Sequence, residues 1–258
     1  MTKLEVAIKA AVSSGNLLLN HYGAVKEVSS KESLRDVVSD VDKLSEIKAL
    51  SIIEENYPGC VILSEENGLN TSDSVEKWVV DALDGTVNYI HNFPFYCVSI
   101  SYWVDDKPVI GVVYNPHSNE LFYAEKGVGA FLNQVKLSVK NCKLENGLTA
   151  MAFSGKAYNP NMRTKEFEIF GKINDISQGC LRTGSAAMNL CYLADGRFSL
   201  ALGKANKVWD IGAGLLIAEE AGAMVEFNVI DKDKYLVNYI AGTKSSKDAI
   251  EVEFCDFL

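Results

Sequence analysis

The six cysteines of this 258-residue chain, Cys60, Cys97, Cys142, Cys180, Cys191 and Cys255, include no CxxC pair. Their scatter excludes a zinc knuckle and a dithiol redox site. Several lie within apolar runs, where a thiol packs as a small hydrophobe. No Lys/Arg cluster is dense enough to track a phosphate backbone, and the formal charge of -9 argues against nucleic acid polymers and anionic membranes as partners. No apolar run approaches the roughly 20 residues that span a bilayer. The N-terminus interrupts its apolar residues with Lys3, Glu5 and Lys9 and does not read as a secretory signal. Scattered thiols without a signal point to a reducing cytoplasm. Internal repeats and low-complexity tracts are also absent.

What is present is material for a large core, with 48% hydrophobic residues. Leu4, Ala7, Ile8, Ala11, Val12, Leu18 and Leu19 fall near helical spacing, with Gly23 as a stop. A second helix is expected to carry Asp40 and Asp42 near its start, to bury Val41, Leu44, Ile47 and Leu50, and to end before Pro58-Gly59. Short buried strands follow at Cys60 to Leu63 and Trp78 to Val80. An antiparallel meander is read over Val98 to Val104, Val109 to Tyr114 and Leu121 to Ala124. Beyond Lys140 to Gly147 the pattern alternates: strand Leu148 to Phe153, helices Arg163 to Phe170 and Ala186 to Leu193, strand Arg197 to Leu202, helix Ile211 to Ala221. Strands Met224 to Phe227 and Val237 to Ala241 and a helix from about Ser246 close the chain. This divides it into an α+β half over 1–140, with the antiparallel sheet and the main acidic motif, and an α/β half over 141–258.

Asp81 and Asp84 flank two apolar residues directly after a strand, so a turn can aim both at one point. Two carboxylates ~4 Å apart repel by ~4 kcal/mol at an effective dielectric of 20, and a divalent cation removes that cost. Oxygen donors without His or Cys favour Mg²⁺ or Mn²⁺ over Zn²⁺, and Ser64-Glu65-Glu66 supplies more oxygens from a neighbouring strand end. Gly85-Thr86 offers close backbone approach and N–H groups for a phosphate oxygen. Taken alone, the DxxDGT run reads equally well as an Asp-rich turn with a capping Thr.

The stretch Trp78 to Phe95, WVVDALDGTVNYIHNFPF, resembles the first signature of the inositol monophosphatase family, and Trp209 to Gly222, WDIGAGLLIAEEAG, resembles the second. The resemblance implies a layered αβαβα sandwich of the inositol monophosphatase / fructose-1,6-bisphosphatase type. It also implies a site with two or three Mg²⁺ ions, Mn²⁺ being a possible substitute. Glu65, Asp81 and the Leu83 carbonyl would serve the first ion, and Asp84 and Asp210 the second, with Asp81 bridging. Thr86 and Asp42 would orient the attacking water, and Glu65 is counted with them as catalytic. Lys31 matches a loop lysine near the metals. Asp84, Gly85, Thr86 and the turn Gly184-Ser185-Ala186 would contact a small phosphorylated substrate. The implied reaction is in-line attack of a metal-activated water on a phosphate monoester, inhibited by Li⁺, in a homodimer.

Other readings compete at single positions. His91 is expected to pack or hydrogen-bond rather than act as a general acid, and Glu66 to face solvent. Asp42 could be only a first-turn acid favoured by the helix dipole, and Lys31 and Ser185 only surface and cap residues. Trp209 is expected to pack between layers and position Asp210. Ala82 replaces the family's usual Pro and leaves the turn less rigid. Counting back from Asp210, Gly203 stands where inositol-preferring members usually place a Glu that holds a ring hydroxyl. Inositol monophosphate is the default substrate that the resemblance implies, and the missing polar anchor weakens the case for it. Fructose 1,6-bisphosphate, 3′-phosphoadenosine 5′-phosphate, histidinol phosphate and other sugar phosphates stay open, as does a non-catalytic metal-dependent binder of a phosphate ligand.

Overall fold

The computed structural model describes residues 1–23, 28–30, 37–71, 74–154 and 160–253. Lys31 and Cys255 lie outside them. Thr2 starts the first helix, α1 (Lys3–His21), through a capping box: its hydroxyl accepts from the Glu5 N–H while the Glu5 carboxylate accepts from the Thr2 N–H. A short antiparallel pair, β1 (Val28–Ser30) and β2 (Val37–Ser39), leads into α2 (Asp40–Asn56). Then come β3 (Ile62–Ser64), β4 (Gly68–Leu69), β5 (Glu76–Asp84) and the single turn α3 (Thr86–Ile90). The meander is β6 (Cys97–Val104), β7 (Lys107–Asn115), β8 (Glu120–Glu125), β9 (Gly129–Leu132) and β10 (Val135–Lys136), of which the last two strands were not expected. The remainder is β11 (Leu148–Ala152), α4 (Pro160–Ile176), β12 (Gly179–Leu181), α5 (Ala186–Ala194), β13 (Leu200–Lys207), α6 (Val208–Glu220), β14 (Met224–Asp231), β15 (Leu236–Gly242) and α7 (Lys244–Glu253).

Eight strands pair in the order β10-β9-β8-β7-β6-β5-β3-β4, antiparallel except where β3 runs parallel to β5. Five pair as β12-β11-β13-β15-β14, with β11 parallel to both neighbours. Helices α1 and α2 cover the outer face of the large sheet, α4 and α7 the outer face of the small one, and α5 and α6 fill the space between. The result is the expected αβαβα sandwich. No helix among the described residues is long and apolar enough to cross a membrane.

Three local expectations are corrected. Helix α2 turns Val41, Asp42, Ser45, Glu46, Ala49, Ile52 and Ile53 inward, leaving Leu44 47% and Ile47 61% exposed. Its polar residues take the inner face because partners wait for them there. Strand β5 does not stop at Val80 but runs through Asp84, so the two acids stand in a strand, not in a turn after one. Residues three apart on a regular strand face opposite ways. Here Asp81 pairs with Ser99 and Asp84 with Cys97, three steps against two, and this one-residue bulge brings both acids to the same side. Finally, β13 starts at Leu200 rather than Arg197 and extends to Lys207, so α6 begins at Val208 and Asp210 falls in its first turn.

Helix α6 packs against both sheets, and small residues let it approach. A Cβ on Gly111 of β7 would lie 2.6 Å from the Ala213 carbonyl oxygen and 3.0 Å from its Cα, backbone atoms that have no rotamer to yield with. Gly111→Ala is therefore expected to destabilise the protein by about 1–3 kcal/mol. Urea unfolding reads this directly, and an unchanged midpoint would mean that the interlayer spacing is soft.

Candidate active site

The acids that sequence reasoning singled out come from four elements and meet where β3, β5, α2 and α6 converge. Asp81 is buried on β5, and its Oδ1 accepts from the Leu83 N–H (2.9 Å). Burial, and after it the charges of Glu65, Asp84, Asp210 and Asp42, hold its carboxyl well above the ordinary range. Asp210 is likewise raised, first by burial and then by Asp84 and Glu65, against a pull from Lys207 at the helix start. These five carboxylates thus share one electrostatic environment. Asp42 is buried on the inner face of α2, and Glu65 is exposed just past β3.

Asp84 closes β5 and reaches across to the N-terminus of α5. Its Oδ2 accepts from the Ser185 hydroxyl (2.6 Å) and the Ala187 N–H (2.9 Å), and the Cys97 thiol lies 3.8 Å away. Burial pushes Asp84 up to about 6 even though these donors pull it down. Ser185 also caps α5, accepting from the Met188 N–H (3.2 Å), so its hydroxyl is committed to protein on both counts. The Cys97 thiol is pushed up by burial and stays protonated, which leaves the donor set one of oxygens.

Gly85 stands at φ 92° as the cap of α3, and a Cβ there would meet the Phe95 carbonyl oxygen at 2.9 Å. Thr86 follows it and donates its hydroxyl proton to the Leu83 carbonyl (3.0 Å). Asn88 then ties this turn to the other half of the chain, donating to the carbonyls of Phe95 (2.7 Å) and Thr183 (2.9 Å). Gly184, at φ 91°, leaves room for that amide. The starts of α3 and α5, with Gly85, Thr86, Gly184, Ser185 and Ala186, therefore adjoin the acids, and helix N-termini favour negative charge.

Several contributors were not anticipated. Ser45 on α2 donates to the carbonyl of Ala82, the position without the family's Pro, and so holds the bulge from below (3.0 Å). Glu46, one turn after Asp42, is buried and accepts from the Ser64 hydroxyl (2.9 Å), the Glu66 N–H (3.1 Å) and the Asn67 amide. It clamps the segment that carries Glu65. The sequence offered no signal for this, because Glu46 reads as a solvent-facing helix acid until the fold turns it inward. Trp209 packs between the layers beside Tyr235, as expected, whereas His91 is exposed at the end of α3 and packs against nothing that hides it.

Among the described residues no three His, Cys, Asp or Glu side chains already stand together as a cation cage. The chemistry of the donors nevertheless suits a hard dication: oxygens only, partly dehydrated, and mutually repelling until a positive charge offsets them. The Leu83 carbonyl keeps a second lone pair beyond the Thr86 bond.

A family model described as the inositol monophosphatase family matches residues 2–245. Nus factor SuhB of Haemophilus influenzae is 37% identical over 229 residues, covering 86% of this chain and 84% of its own. The fructose-1,6-bisphosphatase/inositol-1-monophosphatase of Aquifex aeolicus is 34% identical over 253 residues, covering 96% and 93%. The crystal structure of extragenic suppressor protein suhB from Bartonella henselae superposes with a TM-score of 0.86 at 32% identity, over 98% of each chain.

Two outcomes follow from this geometry. Asp84 has a folded-state value of about 6 against an ordinary 3.8, so the fold prefers its protonated form and loses stability as pH rises from about 4 to about 6. In EDTA, Asp84→Asn should therefore be more stable than the parent at pH 8, by up to roughly 3 kcal/mol. That advantage should vanish below about pH 4; parallel stability–pH curves for the two proteins would contradict it. Glu46→Ala should cost about 2–3 kcal/mol, with amide exchange accelerated selectively over residues 64–67. Uniformly faster exchange would deny Glu46 its clamping role.

Proposed function

The chain belongs to the inositol monophosphatase family, and from this premise we propose that it is a Mg²⁺-dependent hydrolase of a small phosphorylated polyol. The carrying observation is that burial raises Asp81, Asp84 and Asp210 alike, and that acidic neighbours, Asp84 among them, raise Asp81 and Asp210 further. Membership of the family supports a phosphatase. In this reading Glu65, Asp81, Asp84, Asp210 and the Leu83 carbonyl hold the ions, two or three in number, with Mn²⁺ able to substitute. Bound Mg²⁺ supplies Lewis-acid charge on the phosphoryl group and lowers the pKa of water.

The protein's own groups supply position. The Thr86 proton is committed to the Leu83 carbonyl, so Thr86 Oγ1 acts toward the attacking water as an acceptor. Accepting one water proton aims the oxygen lone pair outward, and Asp42 accepts the other. The N–H groups at the starts of α3 and α5 face the phosphate. Ser185 serves the substrate through its backbone, since its hydroxyl is engaged by Asp84. Inositol monophosphate is the default ester; the wall around Gly203 keeps other sugar phosphates in contention. Self-association into a homodimer, implied by the family, is read by sedimentation velocity.

A second reading rests on the name that several relatives share, Nus factor SuhB: the fold could be kept for a non-catalytic binding role. Phosphate release separates the two. With Mg²⁺, a panel of inositol 1-phosphate, fructose 1,6-bisphosphate, 3′-phosphoadenosine 5′-phosphate, histidinol phosphate and 2-glycerophosphate should include turned-over esters. EDTA should abolish the turnover, millimolar Li⁺ should inhibit it, and Asp210→Asn should lower it at least ~100-fold. Silence on every ester with Mg²⁺ present would favour the binding role.

A further inference from the structure

Two side chains that meet at Gly203 carry buried polar atoms without a hydrogen-bond partner, Asn206 Oδ1 and the Tyr239 hydroxyl. Buried side-chain polar atoms are nearly always paired, so two orphans side by side mark a partner that is not protein. Their placement is built. Gly203 of β13 sits opposite Tyr239 of β15, and between Gly203 and Asn206 the strand carries a second one-residue bulge. Ala205 holds the bulge in the left-handed region at φ 49°, its N–H donating to Asn238 Oδ1 (3.0 Å). The consequence is that Asn206 folds back over Gly203. A Cβ on Gly203 would lie 2.1 Å from Asn206 Oδ1 and 2.7 Å from Tyr239 Cε1, so those two side chains occupy the volume a longer residue at 203 would claim. The Tyr239 phenol stands close enough to Asp84 and Asp210 for their charges to act on it.

We propose that Asn206 and Tyr239 form the substrate-selecting wall of this site and bind one free hydroxyl of the leaving alcohol, Tyr239 donating to it and Asn206 Oδ1 accepting from it. This rests on the phosphatase reading and names its substrate class: a phosphate ester whose alcohol carries a further hydroxyl near the ester carbon. A hydroxyl is both donor and acceptor, and the wall offers one of each. Both groups are neutral, so a second anionic substituent on the alcohol is not repelled as it would be by a carboxylate. The pair closes onto Gly203, and the missing Cβ is what gives Asn206 that resting place. Substrate entry rotates the Asn206 side chain away and pairs both orphans. A site built to hydrogen-bond a hydroxyl rejects the analogue without it, because its polar groups are then left unpaired.

The test uses a matched pair, 2-glycerophosphate and isopropyl phosphate, which share a carbon skeleton and differ only in two hydroxyls. With Mg²⁺ the parent should favour 2-glycerophosphate at least 10-fold in kcat/KM. In Tyr239→Phe and in Asn206→Leu that ratio should fall at least 3-fold, and in the double variant approach one. The corresponding non-hydrolysable phosphonates, titrated calorimetrically with Mg²⁺, should show the same preference and the same loss. Tyr239→Phe removes only an unpaired hydroxyl, so its urea midpoint should stay level or rise; a marked fall would give that hydroxyl a structural partner and overturn the proposal. A parent that does not discriminate, or variants that keep its ratio, would overturn it as well. If neither ester turns over, the phosphonate pair still decides whether the wall selects for a hydroxyl, and the phosphatase reading is judged separately on the full ester panel.

Discussion

Holding several carboxylates together in a partly dehydrated volume is the constraint around which this protein is arranged. Asp81, Asp84 and Asp210 are each lifted above the ordinary carboxylate range by burial, and Asp81 further by its acidic neighbours. Such a cluster opposes folding, so the surroundings must offset it. Asp84 is met by the Ser185 hydroxyl and the first N–H groups of α5, Asp81 by the Leu83 N–H, and Asp210 by the start of α6. In the proposed reading the remaining repulsion is what a bound cation would relieve, a sound basis for holding small ions whose dehydration is costly.

Two bulges do the aiming. One extra residue in β5 turns Asp84 to the side of Asp81, and one extra residue in β13 turns Asn206 onto Gly203. Each is braced by a side chain from a neighbouring element, Ser45 beneath Ala82 and Asn238 beneath Ala205. In the proposed reading, chemistry and selectivity would use the same local device on different sheets. The acids come mainly from the large sheet and α2, Asn206 and Tyr239 from the small sheet, and Asn88 joins the two parts through Phe95 and Thr183.

The long elements were legible in the sequence, because α1, α5, α6 and the meander carry clear periods, whereas the layer order and the roles of the acids were only what the resemblance to the family implied. Periodicity failed where function reverses it. On α2 the stripe Leu44, Ile47 looked like the buried face, yet the inward face is Asp42, Ser45 and Glu46, whose partners belong to other segments. Asp81 and Asp84 reach the same side from within a strand rather than from a turn, which the sequence does not show, since a bulge leaves no trace in a run of buried residues. Gly203 read as a missing group; the side chains that fill its space lie three residues on and on another strand, beyond the reach of any local pattern.

The close seating of α6 has a consequence of its own. Gly111 leaves Ala213 no clearance, and Gly214 leaves Leu190 none, so the helix cannot slide without parting the layers on either side. The separation between Asp210 and the β5 acids is therefore a gauge of the gap between the two sheets. Whatever shears one sheet over the other, even at an outer face, changes the spacing of these acids, and with it any hold they would have on a cation, without touching them.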